Sequence, residues 1–153
     1  MNEPVAHALQ VHPFCRGMRP EHVAMLEPHA TLRQLRDGEL LTRQGDPTDR
    51  CWLVRAGRVC LQLRGAGQAR TVETVEEGEL LGWSWLFGDH RWHFDAVAQG
   101  VVRVIELDGR GLLPRCEQDT AFGFALCRHV LQVAHQRLER SRLHALDLYG
   151  ESW

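Results

Sequence analysis

The run from Gly78 to Phe94, GELLGWSWLFGDHRWHF, gathers three tryptophans, two histidines and one arginine in seventeen residues. Several chemistries fit those residue types. A carboxylate (Glu79), a guanidinium (Arg91) and flat indoles can hold a small polar or aromatic ligand, since an arginine fork pairs with oxyanions and an indole stacks on planar groups. His90 and His93, with Asp89 and Asp95 nearby, form an H-x-x-H pair that could share a metal in a loop. On a strand, residues three apart point to opposite faces and the pair is split. Ser84 in GWSWL lacks the second glycine of a G-x-S-x-G nucleophile turn, because Leu86 stands there. The structural alternative is plain. Tryptophans beside strands fill cores, Glu79 caps a turn, and Arg91 is a solvated loop residue.

The rest of the chain offers little else that is reactive. Gly65-Ala66-Gly67 has no lysine after it and reads as a hairpin loop, not a phosphate loop. His7, His12, His22, His29, His129, His135 and His144 are scattered. Cys15, Cys51, Cys60, Cys116 and Cys127 are odd in number and contain no CxxC, which points to free thiols in a reducing cytoplasm. No C-x-x-C-H haem motif occurs. The 153 residues, 44% apolar and 25% charged, suit one globular domain. The net charge of −2 gives no electrostatic case for nucleic acid, and all 18 basic residues are arginine. The N-terminus lacks the pattern of a signal peptide. No apolar run approaches the ~18 residues needed to span a membrane.

The elements that must position the Gly78–Phe94 run follow from periodicity. HPFCRGM and RPEHVAMLEPHA predict a helical segment over 12–29, with Pro20 in its first turn and Pro28 ending it. From Thr31 the period changes to two. Leu32 and Leu35, Glu39–Thr42, Cys51–Val54, Val59–Leu63, Thr71–Val75, Phe94–Ala98 and Val101–Leu107 read as short strands. Glycine-rich turns separate them, as in an all-β sandwich or barrel over 30–108. A short helix follows through Leu112, Leu113 and Cys116. Asp119 or Thr120 caps a long helix over 119–148, with Gly150 placed to end it. That helix has two apolar stripes. Phe122, Leu126, Val130 and Val133 can cover the strands. Phe124, Cys127, Leu131, Ala134 and Leu138, continuing to Leu148, alternate three and four and fit a second copy of the chain. Arg137, Arg140, Arg142 and His144 make its far end basic, which suits the helix dipole.

A glycine-punctuated β-roll with a short helix before it and a long one after it resembles the cyclic-nucleotide-binding domain, the sensor half of catabolite activator protein-like regulators. HPFCRGMRPEH and DGELLTRQGDPTDRCWLVRAGRVCLQL carry the resemblance, with Gly38, Gly45 and Gly57 at the family's turn positions. Gly78-Glu79-Leu80 matches the opening of the family's phosphate-binding cassette. The resemblance implies a mainly β, jelly-roll fold with flanking helices over 1–153. Only Glu151-Ser152-Trp153 follow the long helix, which leaves no room for a helix-turn-helix, so direct DNA binding is not expected.

The resemblance also implies roles. Glu79 would accept from a ribose 2′-hydroxyl, the short helix Leu81–Phe87 would offer backbone N–H groups to a cyclic phosphate, and an arginine would pair with that phosphate. Counted back from Asp95–Ala98, the arginine position falls on Trp92 and the next on His93, with Arg91 one residue earlier. Either Arg91 serves in a shifted register, or Trp83, Trp85 and Trp92 rebuild the pocket with His93 as a polar contact. The expected function is a non-enzymatic, cytoplasmic small-molecule sensor and signal-transduction regulator. The expected site is Gly78, Glu79, Leu80, Leu81, Arg91, Trp92 and His93, with a cyclic nucleotide such as cAMP or cGMP as ligand, no cofactor and no metal. The signal would pass through the long helix of a homodimer, possible effector proteins reading it. Two alternatives stand beside it: a degenerate pocket acting as a protein-interaction module, and a cupin-like metal enzyme.

Overall fold

The computed structural model describes residues 4–88 and 90–150, with backbone alone for Tyr149 and Gly150. Its helices are α1 (Val5–Val11), α2 (Pro20–Leu26), α3 (Gly109–Gln118) and α4 (Thr120–Gly150). Its strands are β1 (Ala30–Leu35), β2 (Leu40–Thr42), β3 (Arg50–Gly65), β4 (Gln68–Val75), β5 (Leu80–Leu81) and β6 (Asp95–Asp108). Two long strands organise the roll. β3 and β6 run antiparallel from Arg50↔Asp108 to Gln62↔Asp95. β1 and β5 flank one half of that pair; β2 and β4 flank the other. The result is a mainly β roll with flanking helices and a long C-terminal helix.

Each long strand was expected as two short ones. Gly57 and Gly100 do take positive φ (85° and 71°), the conformation of a turn. The ladder nevertheless continues past them, with its register shifting between Val54 and Arg58. These glycines mark bulges that bend one strand from the first half of the roll to the second. At Gly57 a Cβ would lie 2.5 Å from the Val101 carbonyl oxygen, so no other residue fits between the strands.

The first half of β3 is buried on both faces, so its side chains serve two cores. Cys51 and Leu53, with Ile105 and Leu107 of β6, face the helices and meet Leu9, Phe14, Leu26, Leu112, Phe122 and Leu126. Trp52 and Val54, with Val102 and Val104, face the roll interior and meet Leu35, Leu61, Leu81 and Trp92. The segment expected as one helix over 12–29 is α2 between two 3-10 turns, Pro13–Cys15 and Glu27–His29. α1 was not foreseen. It buries Ala8 and Leu9 against the helix-side core.

Asp119 Oδ1 accepts from the Phe122 N–H at 3.1 Å and caps α4. One stripe of α4 does cover the domain: Phe122, Leu126 and Val130 are buried and Val133 packs against them. The other stripe stands in solvent, with Phe124 66%, Leu131 68% and Leu138 48% exposed. Cys127 on that stripe is exposed and Ala134 half-buried.

Candidate functional site: a cassette under the long helix

The cassette begins as a tight turn zipped to β3. The Gly78 N–H donates to the Val54 carbonyl, and the Val54 N–H to the Glu79 carbonyl, both at 2.9 Å. The Glu76 N–H donates to Glu79 Oε1 at 3.2 Å, which fixes the carboxylate over its own turn. Leu80 and Leu81 then pair with Leu53 and Trp52, one side chain entering each core. Gly82 turns the chain at φ 88°. The short helix expected over Leu81–Phe87 is confined to a 3-10 turn, Ser84–Phe87, because this glycine and Trp83 are not helical. Trp85 lies in the helix-side core and Trp83 on its edge.

The Arg91–His93 triplet alternates as a strand would. Trp92 points inward, 5% exposed, with its ring centroid 5.8 Å from that of Trp52 and 6.4 Å from that of Phe94. Its indole sits on Gly82, where a Cβ would come within 2.8 Å of it. Arg91 and His93 are exposed. The Arg91 guanidinium donates to the Gly45 carbonyl at 2.8 Å. The structure thus gathers Gly78, Glu79, Leu80, Leu81 and Trp92 around one turn, and leaves Arg91 and His93 on the solvent side of the neighbouring loop. A small concavity of about 230 Å3 lies beside Trp92, between Trp52 and the Leu41–Asp49 loop. Asp89 lies outside the described residues. Among the described residues no three of His, Cys, Asp and Glu are gathered to hold a metal.

Two residues that the spacing argument did not place at the site come from α4. Arg140 donates to Glu79 Oε2 at 2.6 Å. Arg137, one turn earlier, donates to the Leu80 carbonyl, lies 3.5 Å from Glu73 Oε1 and stands over the Trp83 ring at 4.9 Å. It is 8% exposed, and its Nε, which makes that ion pair with Glu73, has no hydrogen-bond partner among the described residues. Burial lowers the Arg137 pKa from its usual value, while Glu73 and Glu79 hold the charge in place. The bond to Glu79 raises that of Arg140. The signal was in the stripe: Phe122, Leu126, Val130 and Val133 extend at the same spacing to Arg137 and Arg140. An arginine stem continues an apolar face while its head reaches a polar partner.

A third contact comes from the N-terminal segment. His12, 4% exposed, lies with Nε2 2.8 Å from the Val54 carbonyl that also receives Gly78, and its Nδ1 accepts from the Phe14 N–H at 3.1 Å. Accepting at Nδ1 leaves Nε2 as the donor, so the ring is neutral here. Burial lowers its pKa, the Val54 bond opposes that, and Arg55 adds to it. The cassette is therefore held by β3 and by α4, and His12 shares the Val54 carbonyl that receives its Gly78 N–H. Burial pushes the Cys51 thiol up to about 12, and the Cys15 thiol likewise, so neither is an activated nucleophile.

The site is thus a glycine-glutamate-leucine turn of a β-roll lying under a long helix. The comparisons give the family. The model of the cyclic nucleotide-binding domain matches residues 32–119, more than half of the chain, and the chain belongs to that family. Among solved structures, a Geobacter metallireducens protein assigned to cyclic nucleotide binding aligns with TM-score 0.78 and 24% identity, covering 90% of this chain and 99% of that one. The N-terminal domain of a transcriptional regulator from Streptomyces coelicolor aligns with TM-score 0.67 and 26% identity over 87% of this chain and 93% of that one. The catabolite activator protein of Thermus thermophilus aligns with TM-score 0.68 and 25% identity over 90% of this chain and 63% of that one. The comparison with curated proteins gives no match. No described helix is long and apolar enough to cross a membrane.

Proposed function

We propose that this chain is a non-enzymatic regulatory module that senses a small ligand at the mouth of its cassette, where Glu79 meets Arg140, and reports through α4. One observation carries the reading: the cassette carboxylate, Glu79, is held by an arginine of the helix that would transmit the signal. A ligand hydroxyl or amine that bonds Glu79 competes with Arg140, so occupancy of the mouth and docking of the helix end are coupled. The exposed stripe of Phe124, Leu131 and Leu138 supports a homodimer in which two such helices pair and pass the shift on. Sedimentation of a Leu131→Glu, Leu138→Glu variant tests this part. A dimer is expected for the wild type and a monomer for the variant, and a wild type that stays monomeric at high concentration sinks the interface. Five free thiols fit a reducing cytoplasm.

The ligand class is tested by calorimetric titration with cAMP and cGMP. Removing the competing cation in Arg140→Ala should tighten binding by up to about fivefold, the equivalent of an exposed ion pair. Glu79→Ala should abolish it. Arg91→Ala should leave it unchanged, because that guanidinium is spent on the Gly45 carbonyl. If neither nucleotide binds the wild type or Arg140→Ala, cyclic-nucleotide sensing is refuted. The second reading then stands: a closed roll serving as a protein-interaction module. Its supporting observation is Trp92 seated on Gly82 within a filled interior.

A further inference from the structure

A concavity of about 470 Å3 lies away from the cassette, between the Arg16–Arg19 turn and the first turns of α4. Among the described residues, Arg16, Arg19 and Arg128 line it and no carboxylate does. None of the three has an acidic partner among the described residues. Arg16 and Arg19 stand on the turn and Arg128 on the helix. His129 ties the turn to the helix, with Nε2 3.2 Å from the Arg16 carbonyl and Nδ1 3.0 Å from that of Ala125. Arg128 lies 5.8 Å above the Phe124 ring. His22 lines the same concavity, is 8% exposed, and its Nδ1 is buried without a hydrogen-bond partner among the described residues. A buried, unpartnered ring nitrogen is costly and uncommon, and calls for an explanation.

We propose that this concavity is an anion site for a small phosphorylated molecule. The phosphoryl group sits among Arg16, Arg19 and Arg128, and the apolar remainder lies against Ala121 and Ala125. Guanidinium groups brought to one concavity by two elements suit a tetrahedral dianion with several acceptor oxygens. A concavity of about 470 Å3 is within the size range of small-ligand sites. The site is independent of the cassette and of what the cassette binds.

Phenyl phosphate joins the two required features and is the probe. Titration at low ionic strength should give saturable binding, tighter than inorganic phosphate, with phenol inert. Arg16→Gln with Arg128→Gln should weaken it by about tenfold or more, as two charge-assisted contacts are lost. Both positions are exposed, so the variant should keep its circular dichroism and melting temperature. The His22 ring signals should shift on binding in the wild type, and Glu79→Ala should bind as the wild type does. Absence of saturation in the millimolar range would overturn the proposal. So would an unchanged affinity in the double variant, or saturation by an oligoglutamate peptide but not by phenyl phosphate.

Discussion

Truncating Arg137 is the sharpest test of whether α4 is held by the cassette or merely lies on it. Arg137→Ala removes a charged hydrogen bond to the Leu80 carbonyl, for about 1.5–3 kcal/mol. It also removes the cation over Trp83, for about 1 kcal/mol. Against this, the guanidinium is buried at a cost, as its lowered pKa shows, and that cost disappears with it. The ion pair with Glu73 adds little, since that carboxylate is 38% exposed. The balance is a loss of about 2 kcal/mol, or a fall of about 4–8 °C in melting temperature for a chain of this size. Arg137→Met keeps the stem and drops the charge, so it should cost about 1 kcal/mol or less. Urea unfolding gives both values. Hydrogen exchange of α4 amides beyond Leu131 should rise in the alanine variant, because few other contacts hold that end. A cost below about 0.5 kcal/mol in Arg137→Ala, with unchanged exchange, would refute the idea that these arginines anchor the helix.

Two further outcomes follow from the same geometry. Trp92→Ala empties the space above Gly82 and should cost about 3–5 kcal/mol in thermal or urea unfolding; a cost near 1 kcal/mol would mean that the ring is not a core element. His12 is neutral in the folded state with its pKa lowered, so its contribution is fully present above pH 6.5, the unfolded value. It is lost as pH falls from there to the folded value. Stability measured at pH 7.5 and at pH 5 should therefore drop more in the wild type than in His12→Asn, and equal drops would refute the buried neutral ring.

How far the fold was legible depended on which residues carried a single meaning. The strand rhythm, the glycine-glutamate-leucine turn and the covered stripe of α4 were readable because burial there follows one period. Gly57 was not, since a turn and a bulge ask the same φ of glycine and only the partner strand decides between them. α1 escaped notice because seven residues with no side-chain cap have little helical tendency of their own; Ala8 and Leu9 are helical because the core receives them. Trp92 was placed at the arginine position by counting. Its direction came only from the structure, because an indole serves equally as core or as ligand platform. Arg137 and Arg140 were read as a basic helix end suited to the dipole. Their carboxylate partners lie some sixty residues away in sequence, at Glu73 and Glu79, where helix periodicity cannot reach.

The two obstructions at the cassette differ in strength, and that difference limits what the site can sense. Arg140 and Glu79 are 56% and 22% exposed, so breaking their pair costs a ligand about 0–1 kcal/mol. Displacing Trp92 from the interior would forfeit most of the ~3–5 kcal/mol that its packing contributes. A ligand that takes Glu79 and leaves Trp92 in place therefore binds at the mouth, between the cassette and α4, and its main mechanical effect is on the helix. A ligand that needs an anion pocket at Gly82 must first expel the indole, with no inward-facing arginine at the Arg91–His93 triplet to offset the cost. The order of affinities for cyclic nucleotides separates these cases. If Arg140→Ala tightens binding by at most about fivefold and Trp92→Ala does nothing further, the ligand is at the mouth. If Trp92→Ala tightens binding much more than Arg140→Ala, the indole is a plug in a phosphate site, and the mouth model of sensing fails.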